Sequence, residues 1–388
     1  MSSNYPSSCS LFAVLMAGGP GARLWPESRR KRPKPFLPLT PSGRSLFRAT
    51  LDRLDGLVPV ENRFVVAGRD LEKILFEEAP ETPRNRALLE PVGKDTALCV
   101  AWGALEALRL HPDPTLVVLP SDHLIEPDEA FRQTIRRAKR LVDADPTRLV
   151  TLGVVPREPS SAYGYVERGE KLDDEEANAY DVVSFREKPD VETAKRFLLS
   201  DRFFWNAGVF VWKARRIIEL IGQYEPELGA SIRELGEAID EAKRLGLRSD
   251  ESTRFQRVYA NAKRISIDYA ALERAPCVAT LSTDDFLWND VGSFAALEKI
   301  TKEYEDVASN AALGAEIVAE NARNNYARIV DSTKKTSTKD KKTIAFVDVE
   351  DLLVVDVGDV LLITKKGNDA SIKKMVERLK SEGKENLL

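Results

Sequence analysis

Short, continuously apolar runs alternate along the first 300 residues with segments in which apolar residues recur at helical spacing. The apolar runs, rich in Val and Leu, are 11–17, 64–67, 87–89, 116–120 and 149–155, as expected for strands buried on both faces. Helical spacing occurs at Phe131, Ile135, Ala138 and 141–142, and again at Ile232, Leu235, Ile239 and Leu245. The alternation predicts an α/β fold with a mixed, mainly parallel sheet, whose ligands bind beyond the carboxyl ends of the strands.

The pattern changes after about residue 300. A polar, lysine-rich stretch at 334–342 predicts an exposed loop, and three β-rich runs follow at 344–347, 352–357 and 360–364. A final helix is predicted around Ile372, Met375, Val376 and Leu379. No internal repeat is long enough to predict a solenoid. We therefore expect a disordered tail at 1–10, a large domain at 11–300, and a small β-rich domain at 301–388 that ends in a helix.

Composition narrows the class of protein. The chain has 388 residues and a formal net charge of −4, and no apolar run approaches the length of a membrane span. Both features argue against a nucleic-acid or membrane partner. The start of the chain has no charged flank of a signal peptide, and Cys9, Cys99 and Cys277 are too few and too scattered for a disulfide framework. These features predict a cytoplasmic location with reduced thiols.

A glycine-rich turn follows the first predicted strand, at Gly18, Gly19 and Gly21. Glycines allow positive φ, and successive N–H groups in such a turn can hold phosphate oxygens. Arg23 and Lys34 follow, with more basic residues between them, which suits a triphosphate. For a lone glycine turn, a tight turn beside a solvated basic face is the better interpretation. A dinucleotide-binding fingerprint and a P-loop both lack required residues here.

Two aspartates occupy positions suited to a magnesium ion. Asp122 follows a predicted strand after Ser121, and Asp290 lies in a turn late in the large domain. Magnesium bound to a nucleotide often takes only one or two carboxylates, with phosphate and water completing its coordination. Taken singly, each aspartate is better interpreted as a helix or turn cap.

Three further segments combine polar groups with aromatic residues or glycine, as a sugar phosphate would require. They contain Gly164, then Glu187 and Lys188, then Asn206 after a run of aromatic residues. Lysine suits a phosphate, and carboxylate or amide groups suit sugar hydroxyls. The ordinary alternative is a solvated Glu–Lys pair beside core aromatics, and spacing alone does not decide between the two.

Taken together, these motifs resemble the mannose-1-phosphate guanylyltransferases of the sugar-nucleotidyltransferase family. The matching stretches appear in family order across about three quarters of the chain. They are VLMAGGPGARLWPESRRKRPKPFL, LLEPVGKDTALCVAWGAL, LVVLPSDHLIEP, SSAYGYVERG, VVSFREKPD, FFWNAGVFVWK, ISIDYAALE and DFLWNDVGSF. The resemblance implies a Rossmann-like nucleotidyltransferase domain followed by a small β-rich unit similar to a left-handed β-helix.

The resemblance also implies a reaction and a set of roles. GTP and mannose 1-phosphate would give GDP-mannose and pyrophosphate, with Mg2+ as cofactor. Arg23 would hold the leaving pyrophosphate, Lys34 would contact the reacting phosphates, and Asp122 and Asp290 would bind the metal. The implied nucleotide site comprises Ala17, Gly18, Gly19, Gly21, Glu90, Thr96 and Ser121. The implied sugar-phosphate site comprises Gly164, Glu187, Lys188 and Asn206.

Some positions depart from the family pattern, and some alternatives stay open. Asp95 stands where the family usually has Asn, which leaves its contact with a nucleotide open, and Ala207, Asn289 and Phe294 also differ. Another nucleotide and hexose 1-phosphate pair, or a non-catalytic regulatory subunit that binds a sugar nucleotide, are the rival functions. A nicotinamide dehydrogenase is a less favoured alternative, because the dinucleotide-binding fingerprint lacks its third glycine. The sequence ends before the cupin-type isomerase domain that some relatives carry, so we expect one activity. A homodimer is a further hypothesis.

Overall fold

The structure is a computed structural model that describes residues 10–19, 21–172, 178–330 and 342–388. The predicted tail therefore lies outside the described residues except for Ser10. Most of the predicted lysine-rich loop, 334–341, also lies outside them. So do Cys9, in the tail, and Pro20, in the glycine turn.

The chain forms two compact units that are discontinuous in sequence. The first contains 10–18, 51–121 and 125–288, and the second contains 19–50, 122–124 and 289–388. The linear domain boundaries at residues 10 and 300 stay a prediction. The compact units follow the contacts of the chain rather than its order, and the second unit includes a segment from near the amino terminus.

The strands and helices have the following bounds. The strands are β1 Leu11–Met16, β2 Arg63–Gly68, β3 Ala87–Glu90, β4 Thr115–Pro120, β5 Leu124–Glu126, β6 Leu149–Val154, β7 Tyr165–Lys171, β8 Ala179–Arg186, β9 Phe203–Lys213, β10 Val278–Thr283, β11 Leu287–Asn289, β12 Tyr304–Glu305, β13 Ala311–Leu313, β14 Ala315–Glu320, β15 Tyr326–Ile329, β16 Lys342–Val347, β17 Leu352–Asp356 and β18 Leu361–Lys365. The α-helices are α1 Leu46–Arg53, α2 Glu72–Glu78, α3 Thr96–Leu108, α4 Asp128–Ala144, α5 Val191–Ser200, α6 Ala214–Tyr224, α7 Pro226–Arg244, α8 Thr253–Asn261, α9 Phe294–Thr301 and α10 Asp369–Ser381.

The first unit is built on a mixed sheet with the strand order β3-β2-β1-β4-β9-β6-β10-β8-β7. All of these strands run in one direction except β8 and β9, so the mixed, mainly parallel sheet expected from the sequence is confirmed. One face carries α3, α6, α7 and α8, which share an apolar core with the strands. The carboxyl ends of β1, β3 and β4 lie at one edge, where an α/β sheet places its ligands.

The second unit contains a coiled stack of short strands. β13, β15 and β17 pair in parallel, as do β14 and β16. Each coil thus lies directly on the preceding one, which gives the unit the β-helix-like character that the resemblance implied. The handedness of the coil stays a prediction. Helix α10 packs its apolar side on the same unit through Ile372 and Leu379.

A ladder of asparagines joins successive coils. The Asn325 amide donates to Asn310 Oδ1 at 2.8 Å and to the Val349 carbonyl at 3.2 Å, and its oxygen accepts from the Leu352 N–H at 2.8 Å. On the surface, Asn321 and Asn324 each donate to an aspartate 27 residues further on. The sequence shows no regular repeat here because the ladder steps are unequal, 15 residues from Asn310 to Asn325 but 27 between the later surface partners.

The buried ladder predicts a large stability loss at one position. Asn325 is fully buried, so Asn325→Ala strands the Leu352 N–H without its acceptor and should lower the free energy of unfolding by roughly 2–3 kcal/mol. Thermal unfolding followed by near-UV circular dichroism measures the loss. Asn321→Gly removes an exposed rung of the same ladder and is the matched control, with little expected change, because glycine adopts the φ of 50° at this position without strain. Equal effects of the two variants would contradict this account of the ladder.

Candidate active site

Lys34 lies at the centre of a cluster in the second unit. Its ammonium donates to Asp122 Oδ2 at 2.8 Å and also to the main-chain carbonyl of Asp290. The Lys34 side chain is only 8% exposed, so it needs the negative partners that surround it. Burial opposes ionisation of Asp122, but the charges of Lys34 and His123 outweigh burial and hold the pKa of this carboxyl below its ordinary value.

Asp290 is held by an unusual turn. Val291 is completely buried and has φ 48°, a conformation that a β-branched residue rarely adopts. The turn is closed by hydrogen bonds from the Val291 N–H to Asn289 Oδ1 at 2.7 Å and from the Gly292 N–H to Asp290 Oδ1 at 3.0 Å. Such strain costs about 1–3 kcal/mol and persists only where surrounding contacts enforce it.

Arg23 and Gly21 approach this cluster closely. A Cβ at Gly292 would lie 2.8 Å from an Arg23 guanidinium nitrogen and 2.6 Å from Asp290 Oδ2, so any larger residue there would displace one of these two side chains. Gly21 has φ 55°, and a Cβ there would lie 2.7 Å from Lys34 Cβ. The structure therefore brings together four residues that the sequence analysis selected: Arg23, Lys34, Asp122 and Asp290.

Two of the other basic residues of this segment, Arg29 and Arg30, already have acidic partners. Arg29 forms two hydrogen bonds to Asp359, at 2.8 and 2.6 Å, and Arg30 pairs with Glu385 at 3.5 Å. Glu27 forms a buried ion pair with Arg328. The expectation that the whole basic stretch suits a triphosphate is corrected for Arg29 and Arg30, because carboxylates of the same unit already neutralise them.

The residues at the sheet edge that are predicted to contact the nucleotide differ in their exposure to solvent. Gly18 and Gly19 are exposed with open space above them, and Gly19 has φ 102°. Ala17 is buried, and Ser121 is buried as well, with its hydroxyl donating to the Met16 carbonyl at 3.0 Å. The Ser121 hydroxyl thus links β1 and β4, and its expected contact with the nucleotide stays a prediction.

The loop between β3 and α3 carries Glu90, Asp95 and Thr96. Glu90 accepts a 2.6 Å hydrogen bond from the buried Tyr259 hydroxyl, and burial raises the pKa of this carboxyl. Thr96 Oγ1 accepts from the Ile267 N–H at 2.8 Å. Asp95 caps α3 by accepting from the Thr96 N–H, with φ 66° and ψ −170°, a region that only glycine adopts readily. The exposed Asp95 is thus a strained helix cap.

A small pocket in the first unit collects the residues predicted to hold the sugar. Gly164, Glu187 and Asn206 line it, and Lys188 forms an ion pair with the Glu187 carboxylate. A Cβ at Gly164 would lie 2.9 Å from Glu187 Oε2, so glycine keeps the pocket open. Thr151 and the Gly208 N–H both donate to Asn206 Oδ1, at 3.0 and 3.1 Å, which fixes the orientation of the amide. The neighbouring aromatic residues Phe204 and Trp205 are core.

Two further carboxyls, those of Asp268 and Glu273, line the same pocket. Neither residue was predicted as a site residue from the sequence. Asp268 Oδ1 accepts from the fixed Asn206 amide at 3.4 Å and begins a short π-helix, Asp268–Leu272, an irregularity that often marks functional sites. Burial, together with the negative charges of Glu187 and Glu273, raises the pKa of Asp268 to about 6. Asp268 is the aspartate of ISIDYAALE, one of the stretches that carry the resemblance, and this match was the signal in the sequence that could have identified it as a site residue.

The two aspartates of the second unit suit a divalent cation. Within the described residues, no three His, Cys, Asp or Glu side chains converge on one metal position. Asp122 supplies a carboxylate that contacts the Lys34 ammonium, and Asp290, whose main-chain carbonyl accepts from the same ammonium, supplies a second carboxylate. This donor set fits a magnesium-like ion that takes its remaining oxygens from phosphate and water. None of the described helices is both long and apolar enough to span a membrane.

The chain matches two family models. Residues 12–307 match a model described as nucleotidyl transferase, and residues 328–379 match one described as MannoseP isomerase/GMP-like beta-helix domain. Curated relatives include mannose-1-phosphate guanylyltransferases of Klebsiella pneumoniae and of Escherichia coli K12, each 32% identical. The alignments cover 95% and 96% of this chain and 74% of either relative.

A solved structure supports the same grouping. It is the crystal structure of a protein named mannose-1-phosphate geranyltransferase from Thermus thermophilus, 33% identical with a TM-score of 0.78. The match covers 96% of this chain and 99% of that one. At this identity and coverage, the likeness extends over both compact units.

The raised pKa of Asp268 predicts an unusual dependence of stability on pH. A carboxyl whose pKa is higher in the folded state stabilises the fold below its unfolded pKa of about 3.9, and this contribution is lost as pH rises through about 6. Asp268→Asn cannot ionise. Its free energy of unfolding, relative to the parent protein, should therefore improve by roughly 1–3 kcal/mol between pH 4 and pH 8.

Chemical denaturation at several pH values measures this difference. Asp190→Asn is the control in the same unit, because hydrogen bonds from Thr193 lower the pKa of Asp190. That control should change in the opposite direction, losing stability relative to the parent protein as pH rises. A flat pH profile for Asp268→Asn would show that Asp268 ionises normally in the folded protein.

Proposed function

Because the chain belongs to the mannose-1-phosphate guanylyltransferase family of nucleotidyl transferases, we propose that it transfers GMP from GTP to mannose 1-phosphate. The products are GDP-mannose and pyrophosphate. A phosphate oxygen of the sugar 1-phosphate attacks the α-phosphorus of GTP, the new P–O bond forms, and the bond to pyrophosphate breaks in line. The expected cytoplasmic location stays a prediction.

The observation that carries this proposal is the cluster of Lys34, Asp122, Asp290 and Arg23 in the second unit. The attacking phosphate is already an anion at neutral pH, so the reaction needs positioned positive charge rather than a strong base. An ammonium group has three donors. Asp122 and the Asp290 carbonyl take two of the Lys34 donors, and the third is available to a phosphate oxygen at the reacting centre.

Arg23 supplies the second positive charge. Its guanidinium lies beside Asp290 and Gly292, and within the described residues it donates no hydrogen bond to a protein acceptor. A planar guanidinium can bind two oxygens of one phosphate at once. We assign Arg23 to the leaving pyrophosphate, whose negative charge increases as the bond breaks.

Nucleotidyl transferases of this family generally use a divalent metal, and we propose Mg2+. Asp122 and Asp290 would hold it. When bound, the ion neutralises phosphate charge and helps to align the two substrates.

The pocket at Gly164 would hold the sugar. Glu187 and Asn206 present acceptor and donor groups to hydroxyls, and Lys188 is available to the phosphate once it leaves Glu187. Asp268 and Glu273 add two further carboxyls that can accept from hydroxyls. Glu90 and the open backbone at Gly18, Gly19 and Gly21 would contact the nucleotide, and Thr96 supports the same loop.

The proposal is tested by pyrophosphate release with magnesium. GTP, ATP, dTTP and UTP are each paired with mannose 1-phosphate and with glucose 1-phosphate. Release should be strongest for GTP with mannose 1-phosphate. Preference for another pair would show that the chain catalyses the same type of reaction with a different nucleotide or sugar phosphate. No release from folded protein with any pair would favour a regulatory subunit that binds a sugar nucleotide.

Removing either catalytic charge should lower turnover. Arg23→Ala or Lys34→Ala should reduce kcat by roughly 10²–10³-fold, comparable with the loss of one preorganised charge donor. Steady-state pyrophosphate release measures the effect, and circular dichroism checks that each variant is folded, because Lys34 is buried. A folded variant with near-normal kcat would remove that residue from the catalytic set.

The metal assignment has a separate readout. Asp290→Asn keeps the shape of the side chain and its turn hydrogen bond but weakens it as a ligand for a hard cation. We expect the magnesium concentration for half-maximal activity to rise about tenfold, the scale of one lost ligand contribution. A magnesium titration of activity measures this, and an unchanged titration would exclude Asp290 from the metal site.

A further inference from the structure

The segment that carries Arg23 is held by residues from the carboxyl-terminal part of the second unit. Leu24 shares an apolar cluster with Ile372 and Leu379 of α10, and α10 packs directly on the 3₁₀ turn Ala22–Leu24. The indole N–H of the buried Trp25 donates to the Leu387 carbonyl at 2.8 Å. The two residues that follow Arg23 are thus fixed by the last 20 or so residues of the chain.

Polar contacts continue the same pattern further along the segment. Glu27 accepts two hydrogen bonds from Arg328 of β15, at 2.6 and 2.7 Å, and both side chains are 2% exposed. Arg29 makes its paired contact with Asp359, which is 55% exposed. The set that holds the segment, comprising Arg328, Asp359, α10 and Leu387, is called the C-terminal clamp below.

Arg23 itself faces the first turn of α10. Asp369 begins that helix, where burial raises the pKa of its carboxyl and the charge of Arg23 opposes the rise. On its other side, the guanidinium lies against Gly292 and Asp290. The long arginine side chain is therefore confined between the start of α10 and the Asp290 turn, and its main chain is confined by the clamp.

We propose that the C-terminal clamp positions Arg23 for the departing pyrophosphate, so that the β-helix-like region acts in catalysis without touching substrate. This inference rests on the proposed function of Arg23. Trp25 and Asp359 are positioning residues in this account. The reason is geometric, because a charged group that stabilises a leaving group contributes fully only when it is held at the correct place before the bond breaks.

The test uses mild variants of the full-length chain. Trp25→Phe removes the N–H that reaches Leu387 and keeps most of the packing, and Asp359→Asn removes the charge that holds Arg29. Exposed ion pairs contribute little to stability, so Asp359→Asn should fold normally. Each variant should lower kcat by about 3- to 30-fold, with the KM for mannose 1-phosphate within about twofold of the parent value.

A matched control separates positioning from general damage to the unit. Glu350 pairs with Arg323 in a contact of the same kind, exposed and within the second unit, but away from the segment that carries Arg23. Glu350→Gln should leave kcat unchanged. Calorimetric binding of pyrophosphate with magnesium should weaken in Trp25→Phe and Asp359→Asn and stay unchanged in Glu350→Gln, a difference that a purely structural role would not produce.

A double-mutant cycle with Arg23→Ala decides whether the clamp acts through Arg23. If it does, adding Asp359→Asn to Arg23→Ala causes no further loss of kcat, because the positioned group is already absent. Losses that multiply, or clamp variants with parental kcat and pyrophosphate affinity, overturn the inference while the proposed function stands. If Arg23→Ala alone keeps parental kcat, the assigned role of Arg23 fails, and the inference is overturned with it.

Discussion

The contact on which the second unit depends is the buried ammonium of Lys34. It joins three segments that are distant in sequence, because Lys34, Asp122 and the Asp290 carbonyl meet at one nitrogen. A charge buried this deeply would be costly without those partners. The same contact keeps Asp122 ionised and ready for a cation, since it lowers the pKa of that carboxyl. Stability of the unit and preparation of the candidate site therefore rest on a single set of bonds.

Three energetically unfavourable local features lie at the candidate site. Val291 adopts positive φ while completely buried, and Asp95 caps α3 from a conformation that suits glycine. Asp268 is a third unfavourable feature, since its carboxyl is held where ionisation is opposed. Proteins retain such features where the surrounding structure enforces them, and they are common at functional sites. Asp95 and Val291 lie in segments that the resemblance linked to the nucleotide and the metal, and Asp268 lines the pocket with Gly164, Glu187 and Asn206.

Hydrophobic periodicity predicted the α/β part of the fold, whereas the β-helix-like part was expected only from the resemblance. β1, β3 and β4 were visible because each is a continuous apolar run, and α4 was visible because its apolar residues repeat at helical spacing. The runs that became β16, β17 and β18 were visible too, and the resemblance implied the β-helix-like unit, but periodicity alone did not reveal the coil because its strands are short and its steps unequal. For the site, glycine, lysine and aspartate motifs identified the candidates. Only the structure revealed that Arg29 and Ser121 are already occupied, because such partners are distant in sequence.

The buried pair of Glu27 and Arg328 indicates why the two ends of the chain share one compact unit. Burying both charges gains little net stability, since desolvation offsets most of their attraction, but either charge alone would be strongly unfavourable. The pair therefore acts mainly on specificity. It allows the segment with Arg23 to pack on the coils in the one arrangement that brings both charges together, at 2.6 and 2.7 Å. An apolar contact would tolerate sliding by an ångström or more, whereas a bidentate arginine–carboxylate pair does not. A catalytic arginine that must meet a leaving group benefits from this kind of anchor, which explains why a β-helix-like region can matter to a reaction whose substrates it does not contact.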